Sequence, residues 1–451
     1  MGIFRSYDVR GIYRKDIDEE IMRRIGESFA AHVKKDVVVA RDCRMSSPTL
    51  MSAFIDGAAS HGIAVHDAGM LPLGAGMFHA WCEGLECAYI TASHLPKEWC
   101  GVKFFHSNGI GIMEDEILEI KRIFSGNAPE KVRGSVKSVR EDISGNYIRY
   151  LTKKTHQKKK LRILVDNGNG VSSLVVKNLF TSGGHHVDVI FEEPDGRFPN
   201  RLPDPADTEI GKLKEMVSGY DIGIAYDGDA DRMAVVDEKG AMLSPEQTSY
   251  LIMSCLLKTE KGPIIANVEC TRLIDDIAKK FSRHVIRSPV GHTFLMQYVN
   301  DNKACYGVES AGHYCIPSIV PFDDAIAASL YAVSALSHLD CSLSSFVKEM
   351  PVHSFERKSF VCPDDMKSDV MKKLKETIME QYGSVTTIDG VRVDFDNGWA
   401  LLRMSNTSPY IRLTVEGDTK KDFYKIQKTF IGLLEDEMTS RGMEMKEEHG
   451  K

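Results

Sequence analysis

The chain has 451 residues, a length that predicts several domains of ordinary size. Hydrophobic residues make up 43% of it and charged residues 27%, which excludes a disordered or fibrous chain because packed cores can form. A formal net charge of −7 argues against a dedicated nucleic-acid binder, since such proteins usually carry a basic excess.

The N-terminal segment, MGIFRSYDVRGIYRKD, lacks the apolar stretch of a signal peptide. Apolar runs elsewhere are too short to cross a membrane. The 10 cysteines are scattered and form no C-x-x-C pair, so we expect reduced, mostly buried thiols rather than a zinc site or a disulfide framework. These features predict a cytoplasmic protein without a membrane or nucleic-acid partner.

One pattern of elements occurs three times along the chain, running each time from a strand through a helix to a second strand. The first copy begins at the apolar strand Val37–Ala40 and ends at Ile63–His66. The second and third copies lie at 159–193 and 261–291. Strand–helix–strand units are typical of α/β domains with a mostly parallel sheet, and their wide spacing predicts repeated domains rather than a solenoid.

The last hundred residues have a different pattern. Apolar and polar residues alternate across an Asn-Gly pair, Asn397 and Gly398, which predicts antiparallel hairpins. An amphipathic helix is predicted over Lys420–Met438. We therefore predict three similar α/β domains followed by a smaller α+β domain. Their expected ranges are 1–135, 136–246, 247–352 and 353–451.

The first segment that could carry chemistry is TASHLPKEWCGVKFF, at 91–105. Ser93 and His94 follow a strand-like run, Gly101 predicts a loop, and Lys103 is expected to begin the next strand. A hydroxyl on a loop beside a cation suits a nucleophile or a phosphate carrier. Serine is also an ordinary turn residue, so spacing alone leaves both interpretations open.

The second segment is DIGIAYDGDADRMAVVDEKG, in which Asp227, Asp229 and Asp231 alternate with other residues. Three carboxylates so close repel one another unless a cation holds them, and oxygen ligands favour Mg²⁺ or Ca²⁺. An EF-hand loop would place Glu238 at its last ligand position. That loop requires glycine where Arg232 stands and helices where strands are predicted, so the segment predicts a different metal site.

The third segment is GVESAGHY, where Glu309 and His313 lie in a glycine-flanked loop after a strand-like run. A carboxylate can accept hydrogen bonds from two adjacent sugar hydroxyls. A simple tight turn is the alternative, and spacing does not distinguish the two.

The fourth segment is RMSNTSPYIRL, a turn closed by proline. Its polar residues suit a phosphate, because hydroxyls, backbone N–H groups and guanidinium groups converge there. An exposed hairpin turn with incidental arginines is the alternative. The candidate phosphate ligands are Arg403, Ser405, Asn406, Thr407 and Arg412.

Together the four segments indicate phosphoryl transfer on a phosphorylated polyol. In this order they resemble the α-D-phosphohexomutase superfamily, with the phosphomannomutase/phosphoglucomutase branch nearest. FRSYDVRG (4–11), TASHLP, DGDADR, VGHTF, GVESAGHY and RMSNTSPYIR each resemble a family motif. The resemblance covers nearly the whole chain. It implies a four-domain fold around a central cleft, with three α/β domains and a hinged α+β domain.

The resemblance also implies a mechanism. Phospho-Ser93 would exchange its phosphoryl group with a mannose or glucose phosphate through a 1,6-bisphosphate, which is both intermediate and activator. Mg²⁺ would be held by Asp227, Asp229, Asp231 and an oxygen on Ser93, and closure of the last domain would exclude water. The implied catalytic residues besides Ser93 are His94, Arg10 and Lys103. The implied substrate-binding residues are Tyr7, Arg232, His292, Glu309, His313, Arg403, Ser405, Asn406, Thr407 and Arg412.

The sequence departs from the family pattern at several positions. Leu95 and Cys100 stand where many relatives have Asn, and Ala311 stands where a Ser usually helps Glu309 contact the sugar. Glu269 stands where some relatives carry a Lys. The departures at Ala311 and Glu269 bear on which sugar is bound.

We expect a phosphosugar as the small-molecule partner, and a monomer or a homodimer. Phosphoglucosamine mutase is an alternative that Asn406 disfavours, because a Gly is expected there in that enzyme. A non-catalytic sugar-phosphate-binding or Ca²⁺-binding protein is a second alternative, which the complete set of motifs disfavours. A serine hydrolase is excluded because no G-x-S-x-G turn surrounds Ser93.

Overall fold

The computed structural model describes residues 2–126, 132–405 and 409–448. Within these residues the chain forms four sheets, one after another, with helices packed against each. The first three sheets are mixed: the first and third are mostly parallel, and the second has equal numbers of parallel and antiparallel pairings, while the fourth is antiparallel throughout. This is the α/β fold of three similar domains and an α+β domain that the sequence predicts.

The first sheet has the strand order β1-β5-β4-β2-β3-β6, in which β5 runs antiparallel to both of its neighbours. Its strands are β1 (Asp8–Ile12), β2 (Val37–Arg41), β3 (Ala64–Met70), β4 (Glu86–Ile90), β5 (Trp99–Phe105) and β6 (Ser135–Ser138). Its helices are α1 (Glu19–Val33), α2 (Ser47–Ala59), α3 (Leu73–Glu83) and α4 (Glu114–Ser125).

Strand β5 corrects the prediction of a loop at Gly101 and of a strand that begins at Lys103. Gly101 lies within the strand, opposite Arg10 on β1. A Cβ at Gly101 would come within 2.1 Å of the carbonyl oxygen of Val9, so the glycine permits the close approach of the two strands. Lys103 therefore projects from the middle of a buried strand, which fixes its position.

The second sheet has the order β11-β10-β9-β7-β8. Its strands are β7 (Arg162–Asp166), β8 (His186–Ile190), β9 (Ile222–Tyr226), β10 (Met233–Val236) and β11 (Met242–Leu243). Its helices are α5 (Ile143–Thr152), α6 (Val176–Ser182) and α7 (Gly211–Met216), with a 3₁₀ turn at Val171–Leu174. The DGDADR segment joins the antiparallel neighbours β9 and β10, so strands flank it and the EF-hand alternative is excluded.

The third sheet has the order β13-β12-β14-β15. Its strands are β12 (Ile264–Asn267), β13 (Val285–Ser288), β14 (Tyr306–Val308) and β15 (Tyr314–Cys315). Its helices are α8 (Pro245–Leu256), α9 (Leu273–Lys280), α10 (His292–Asp301), α11 (Ala325–Ser337) and α12 (Leu343–Lys348). The loop with Glu309 and His313 connects β14 to its antiparallel neighbour β15.

The fourth sheet has the order β17-β18-β19-β20-β16-β21. Its strands are β16 (Ser354–Val361), β17 (Val385–Thr386), β18 (Val391–Phe395), β19 (Gly398–Met404), β20 (Tyr410–Gly417) and β21 (Glu447–Glu448). Its helices are α13 (Asp364–Gln381) and α14 (Lys420–Ser440). The hairpin predicted at Asn397 and Gly398 connects β18 to β19, and the predicted C-terminal helix is α14.

The apolar cores divide the molecule unequally. One continuous cluster contains buried residues from the sheets and helices of the first three domains, such as Phe78 on α3, Tyr226 on β9 and Ala328 on α11. The buried residues of the fourth sheet form a separate cluster between Phe360 and Met438. The fourth domain therefore folds around a core of its own, whereas the other three share one cluster in addition to smaller cores of their own.

Strand β6 pairs with β3, so the first sheet continues beyond residue 135, where the first domain boundary is predicted. The boundaries near 135, 246 and 352 stay predictions. None of the helices in the described ranges is long and apolar enough to cross a membrane.

Candidate active site

Ser93 lies in a strained turn just after β4. Its backbone has φ near +50°, a left-handed conformation that is uncommon for a residue with a side chain and costs about 1–3 kcal/mol. The backbone N–H of Ser93 donates to the hydroxyl of Thr91 at 2.8 Å, which helps to hold this conformation. Such strain collects at functional sites, because surrounding contacts must maintain it.

Arg44 and Asp42, which the sequence analysis missed, stabilise the turn that contains Ser93. The fully buried guanidinium of Arg44 donates to the carbonyl oxygens of Ser93, at 2.7 Å, and of Pro96, at 2.7 Å. Asp42 accepts from Arg44 Nε at 3.1 Å and from the Thr91 hydroxyl at 2.8 Å. Both follow β2, so polar residues directly after a buried strand were the available signal.

The three aspartates of the DGDADR segment meet Ser93 in one buried cluster. Asp227, Asp229 and Asp231 are essentially inaccessible to solvent, and each offers an oxygen within 4.8 Å of the others. Ser93 Oγ donates to Asp227 Oδ2 at 2.9 Å. Gly228 permits this approach, because a Cβ there would lie 2.8 Å from the Ser93 carbonyl oxygen.

Two cations neutralise part of the acidic cluster. Lys103 Nζ lies 2.8 Å from Asp229 Oδ2 and 2.5 Å from Asp231 Oδ2. Arg232 Nε donates to Asp227 Oδ2 at 3.2 Å. Burial, followed by the charges of Asp231 and Asp229, raises the pKa of Asp227 well above its usual value. Burial opposes the charge on Asp231 too, but Lys103 and other nearby cations hold its pKa well below the usual value.

The cluster has the donor set for a hard cation. Asp229 Oδ1 and Asp231 Oδ1 are buried and have no hydrogen-bond partner among the described residues. Buried carboxylate oxygens without partners are costly, and a bound divalent ion would satisfy them. The residues present therefore fit Mg²⁺, whose preferred ligands are oxygens.

His94 and Arg10 flank this centre. His94 Nδ1 lies 3.4 Å from Ser93 Oγ. Burial, together with the charges of Arg232 and Arg10, lowers the pKa of His94 to about 2, so its imidazole is neutral at neutral pH. Arg10 is oriented by Asp8, which accepts from its Nε at 2.6 Å. His94 is therefore neutral beside Ser93, and the orientation of Arg10 is fixed by Asp8.

A second cluster joins the N-terminal motif to the third domain. The rings of His292 and His313 stack with centroids 5.3 Å apart, and Tyr7 meets His292 edge-on at 5.4 Å. His313 Nδ1 lies 2.8 Å from Asp323 Oδ2. Burial alone would lower the pKa of His313, but Asp231 and Asp323 raise it to about 9. Asp323 had no motif in the sequence to indicate it.

Among the described residues, His292 Nε2 is buried without a hydrogen-bond partner, and His292 Nδ1 lies 3.6 Å from Asp323 Oδ2. Glu309 lies near the stacked histidine pair and accepts from the backbone N–H of Gly291 at 2.6 Å and from Asn267 Nδ2 at 3.2 Å. The carboxylate is therefore held at the start of α10. An unused polar atom beside a fixed carboxylate is suited to a ligand with many hydroxyls.

The fourth domain contributes a group of arginines. Arg403 on β19 and Arg412 on β20 face each other in register. Arg403 is oriented by Asp389, whose two oxygens each accept from Arg403 Nε at 3.0 Å. Asp389 also accepts from the backbone N–H of Val290 at 3.0 Å, so it ties this group to the third domain.

Of the remaining residues predicted for this turn, Ser405 is buried, and its backbone N–H donates to the Tyr410 carbonyl at 2.9 Å. Asn406 and Thr407 lie outside the described residues. Arg357 on β16, which no motif indicated, lies beside the group, and its guanidinium is 2.9 Å from the Glu269 carboxylate.

The four residues that depart from the family pattern have different environments. Leu95 contributes its carbonyl oxygen to Arg44 at 2.5 Å, and Cys100 is buried with its sulfur 3.5 Å from the Gly11 carbonyl. Ala311 is exposed. Glu269 is buried and contacts the arginines of the fourth domain. Of the four, Glu269 makes charged contacts within the predicted site.

The chain matches family models along most of its length. They are described as phosphoglucomutase/phosphomannomutase alpha/beta/alpha domains I, II and III and the C-terminal domain, and they cover residues 1–131, 145–240, 244–353 and 360–433. The chain therefore belongs to the phosphoglucomutase/phosphomannomutase family, within the α-D-phosphohexomutase superfamily.

Relatives with two kinds of name are similar to this chain. A probable phosphoglucosamine mutase of Methanosarcina acetivorans is 32% identical over 429 residues, covering 94% of this chain and 96% of that protein. A phosphomannomutase/phosphoglucomutase of Pseudomonas putida is 31% identical over 442 residues, covering 95% and 94%. A crystal structure of a family protein from Burkholderia thailandensis has a TM-score of 0.90 and 27% identity over 98% of both chains.

Proposed function

We propose that the protein is a Mg²⁺-dependent phosphohexomutase that interconverts hexose 1-phosphates and hexose 6-phosphates. The observation that carries the proposal is the contact of Ser93 Oγ with Asp227 at 2.9 Å, inside a buried cluster of three carboxylates bordered by Lys103. A hydroxyl held this way is suited to carry a phosphoryl group next to a cation. The family of the chain supports the same activity.

In the proposed reaction, Ser93 carries a phosphoryl group in the resting enzyme. The bond between phosphorus and Ser93 Oγ breaks while a sugar hydroxyl oxygen forms the new bond to phosphorus. The hydroxyl proton goes to a neighbouring base or to solvent. His94 has a pKa lowered to about 2 and accepts a proton poorly, so its proposed role is to contact the oxygen of Ser93 as a neutral imidazole. The resulting 1,6-bisphosphate turns over and returns its other phosphoryl group to Ser93, which completes the exchange.

Asp227, Asp229, Asp231 and an oxygen on Ser93 would hold the Mg²⁺ ion. When bound, the ion supplies positive charge against the negative charge of the transferring group. Lys103, Arg10 and Arg232 add fixed positive charge around the same point. Because Lys103 and Arg232 are buried and Arg10 is held by Asp8, these side chains need little rearrangement during transfer.

The remaining predicted residues would bind the rest of the substrate. Arg403 and Arg412, with Ser405, Asn406 and Thr407, would hold the phosphate that does not react. Glu309 would bind a pair of ring hydroxyls, with Tyr7, His292 and His313 around the ring. The same phosphate subsite would serve both orientations of the sugar, so the enzyme needs one such subsite for both half-reactions.

Three sugars are candidates for the substrate. Mannose and glucose phosphates are the first candidates, from the motifs of the sequence. Glucosamine phosphate is the second, because relatives about as similar to this chain carry that substrate in their names. A non-catalytic phosphosugar-binding protein is disfavoured, since it would not require the strained Ser93 turn beside the acidic cluster.

Phosphorus NMR tests the proposal directly. The protein is incubated separately with mannose, glucose and glucosamine 1-phosphates, Mg²⁺ and a trace of the matching 1,6-bisphosphate. We expect conversion of at least one to the 6-phosphate, and the rates rank the sugars. Lack of conversion of all three would overturn the proposal in favour of a binding protein.

A further inference from the structure

Glu269 lies between two arginines of the fourth domain. Its Oε1 accepts from Arg403 Nη1 at 3.2 Å, and its Oε2 accepts from Arg357 Nη2 at 2.9 Å. The residue is 5% exposed and follows β12, so the third domain supplies it. The carboxylate thus contacts Arg403, which is proposed to bind the substrate phosphate, and Arg357, which lies beside it.

The arginines need such a counter-charge. Arg403 and Arg412 stand opposite each other on adjacent strands, where like charges destabilise a sheet. Burial lowers the pKa of Arg412, Glu269 acts in the opposite direction, and Arg357 and Arg403 lower it further. Asp389 offsets part of the charge of Arg403, and Glu269 is the carboxylate that Arg403 and Arg357 share; a phosphate could take the place of Glu269 between them.

We propose that Glu269 competes with the substrate phosphate. Its carboxylate occupies the subsite formed by Arg403 and Arg357 until a phosphosugar displaces the carboxylate. The inference rests on the proposed function, since it concerns the phosphate subsite of that reaction. A carboxylate and a phosphate are both anions, and both accept hydrogen bonds from the same guanidinium groups. They therefore exclude each other from the subsite by geometry and by charge.

The position of Glu269 also connects the subsite to the sugar-binding loop. Ser310 Oγ lies 3.4 Å from Glu269 Oε2, and Asn267 Nδ2 lies 3.5 Å from Ser310 Oγ and 3.2 Å from Glu309 Oε1. A hydroxyl-bearing ring held by Glu309 would disturb this chain of contacts. Displacement of Glu269 would then accompany binding of the sugar as well as of its phosphate.

The competitor has a defined consequence for the reaction cycle. It weakens binding of the phosphosugar and restores a partner to the arginines when product leaves, which keeps release from becoming slow. Relatives with a Lys at this position would add a cation instead of an anion. The same subsite in this chain is therefore expected to bind phosphate less tightly than its arginines alone would allow.

The test compares Glu269→Gln and Glu269→Ala with the unaltered protein and with Asp418→Asn. Asp418 pairs with Arg272 at 3.2 Å across the same two domains, so its substitution removes one negative charge from the interface outside the subsite. Binding of inorganic phosphate is measured by titration calorimetry in EDTA, after circular dichroism and melting have established that each variant is folded.

We expect both Glu269 variants to bind inorganic phosphate roughly tenfold more tightly, as loss of a charged competitor implies, while Asp418→Asn leaves the affinity unchanged. We also expect Glu269→Gln to lower KM for the phosphosugar without raising kcat, a split that general loosening would not produce. Unchanged or weaker phosphate binding in the folded Glu269 variants would overturn the inference, as would equal tightening by Asp418→Asn.

The two proposals can fail separately. Phosphate binding requires no turnover, so a protein that converts no hexose phosphate but binds phosphate more tightly after Glu269→Gln loses only the proposed function. A protein that is an active mutase with unaltered phosphate affinity in the variant loses only the competitor.

Discussion

The Ser93 centre and the arginine group of the fourth domain both concentrate charge, but different forces hold them. Ser93, Asp227 and Lys103 project from strands and turns of domains that share one apolar core. Arg403 and Arg357 belong to a domain with its own core, and they meet the third domain through ion pairs. Packing of a shared core positions the first region. At the second, a small apolar cluster of Val268, Trp399 and Leu401 joins the two domains, and the ion pairs beside it are contacts that a ligand can replace.

This difference fits a division of labour. Chemistry at Ser93 requires groups that do not rearrange at the moment of transfer, and a buried, shared core provides that rigidity. Holding and releasing the distal phosphate requires a surface that opens and closes. The Arg357–Glu269 ion pair is partly exposed and therefore weak enough to exchange partners, which would suit the closure of the last domain that the family resemblance implies. The predictions below separate a loss of chemistry from a loss of binding.

Ser93→Ala should have the largest effect and abolish turnover, by a factor of roughly a thousand or more, because it removes the group that carries phosphate. The melting temperature should change little. Rates are measured by phosphorus NMR, and intact mass should show that an added phosphoryl group of about 80 Da is absent from the variant. Ser172→Ala, which removes another buried hydroxyl, is the control and should stay active. Near-normal turnover by Ser93→Ala would refute the phosphoserine assignment.

Asp229→Asn should reduce kcat by roughly a hundredfold, since it removes one charged ligand of the proposed ion site. The activity that remains should require more Mg²⁺, which a metal titration of the rate measures. Asp237→Asn is the control, because Asp237 accepts from the backbone of the following turn and stands outside the cluster. An unchanged Mg²⁺ requirement in Asp229→Asn would contradict the assignment of the acidic cluster.

Arg403→Lys tests the second region. Lysine keeps the charge but loses the planar fork that binds two oxygens, so KM for the phosphosugar should rise by roughly tenfold with kcat little changed. Arg272→Lys is the matched control at the same interface, where Arg272 pairs with Asp418 and donates to the Asp396 carbonyl. If Arg403→Lys instead lowered kcat with KM unchanged, the two regions would not divide chemistry from binding.

Much of the Ser93 centre could be predicted because its parts are local in sequence. Apolar runs predict the strands on either side of DGDADR. In the fourth domain, alternation predicts the hairpin at Gly398 and periodicity predicts helix α14. Charged motifs at the ends of buried strands indicated Ser93 and the aspartates, and the structure brings them together. The error at Gly101 arose because a glycine that permits close strand packing has the same local signature as one in a turn.

The arginine group could be predicted only in part, because its partners come from distant segments. Glu269 contacts Arg357 and Arg403 across a domain interface, and no spacing in the sequence encodes such contacts. Arg44 is a similar case, since it supports Ser93 from a distant segment, and Asp323 lies close to His292 on a different element. The sequence indicated which groups carry chemistry better than it indicated which groups orient them.

The smallest effect expected is a change in the stability of the first domain that leaves the activity at Ser93 unchanged. His106, just after β5, lies 2.8 Å from Glu86 and 3.1 Å from Glu116, and hydrogen bonds to Glu116 and then Glu86 raise its pKa to about 9. A raised pKa means that the folded state binds the proton more tightly. The stabilisation is therefore complete below the usual histidine pKa and is lost as pH rises through about 9.

His106→Gln should accordingly lower the free energy of unfolding near pH 6 by at most about 2 kcal/mol, and should have little effect near pH 10. Urea unfolding at both pH values measures the difference, and His186→Gln, which alters an exposed histidine, is the control. An equal loss at both pH values would mean that His106 acts through packing instead of charge. Because His106 stands apart from Ser93, kcat should stay unchanged, which would show that the stability and the chemistry of this region can be altered independently.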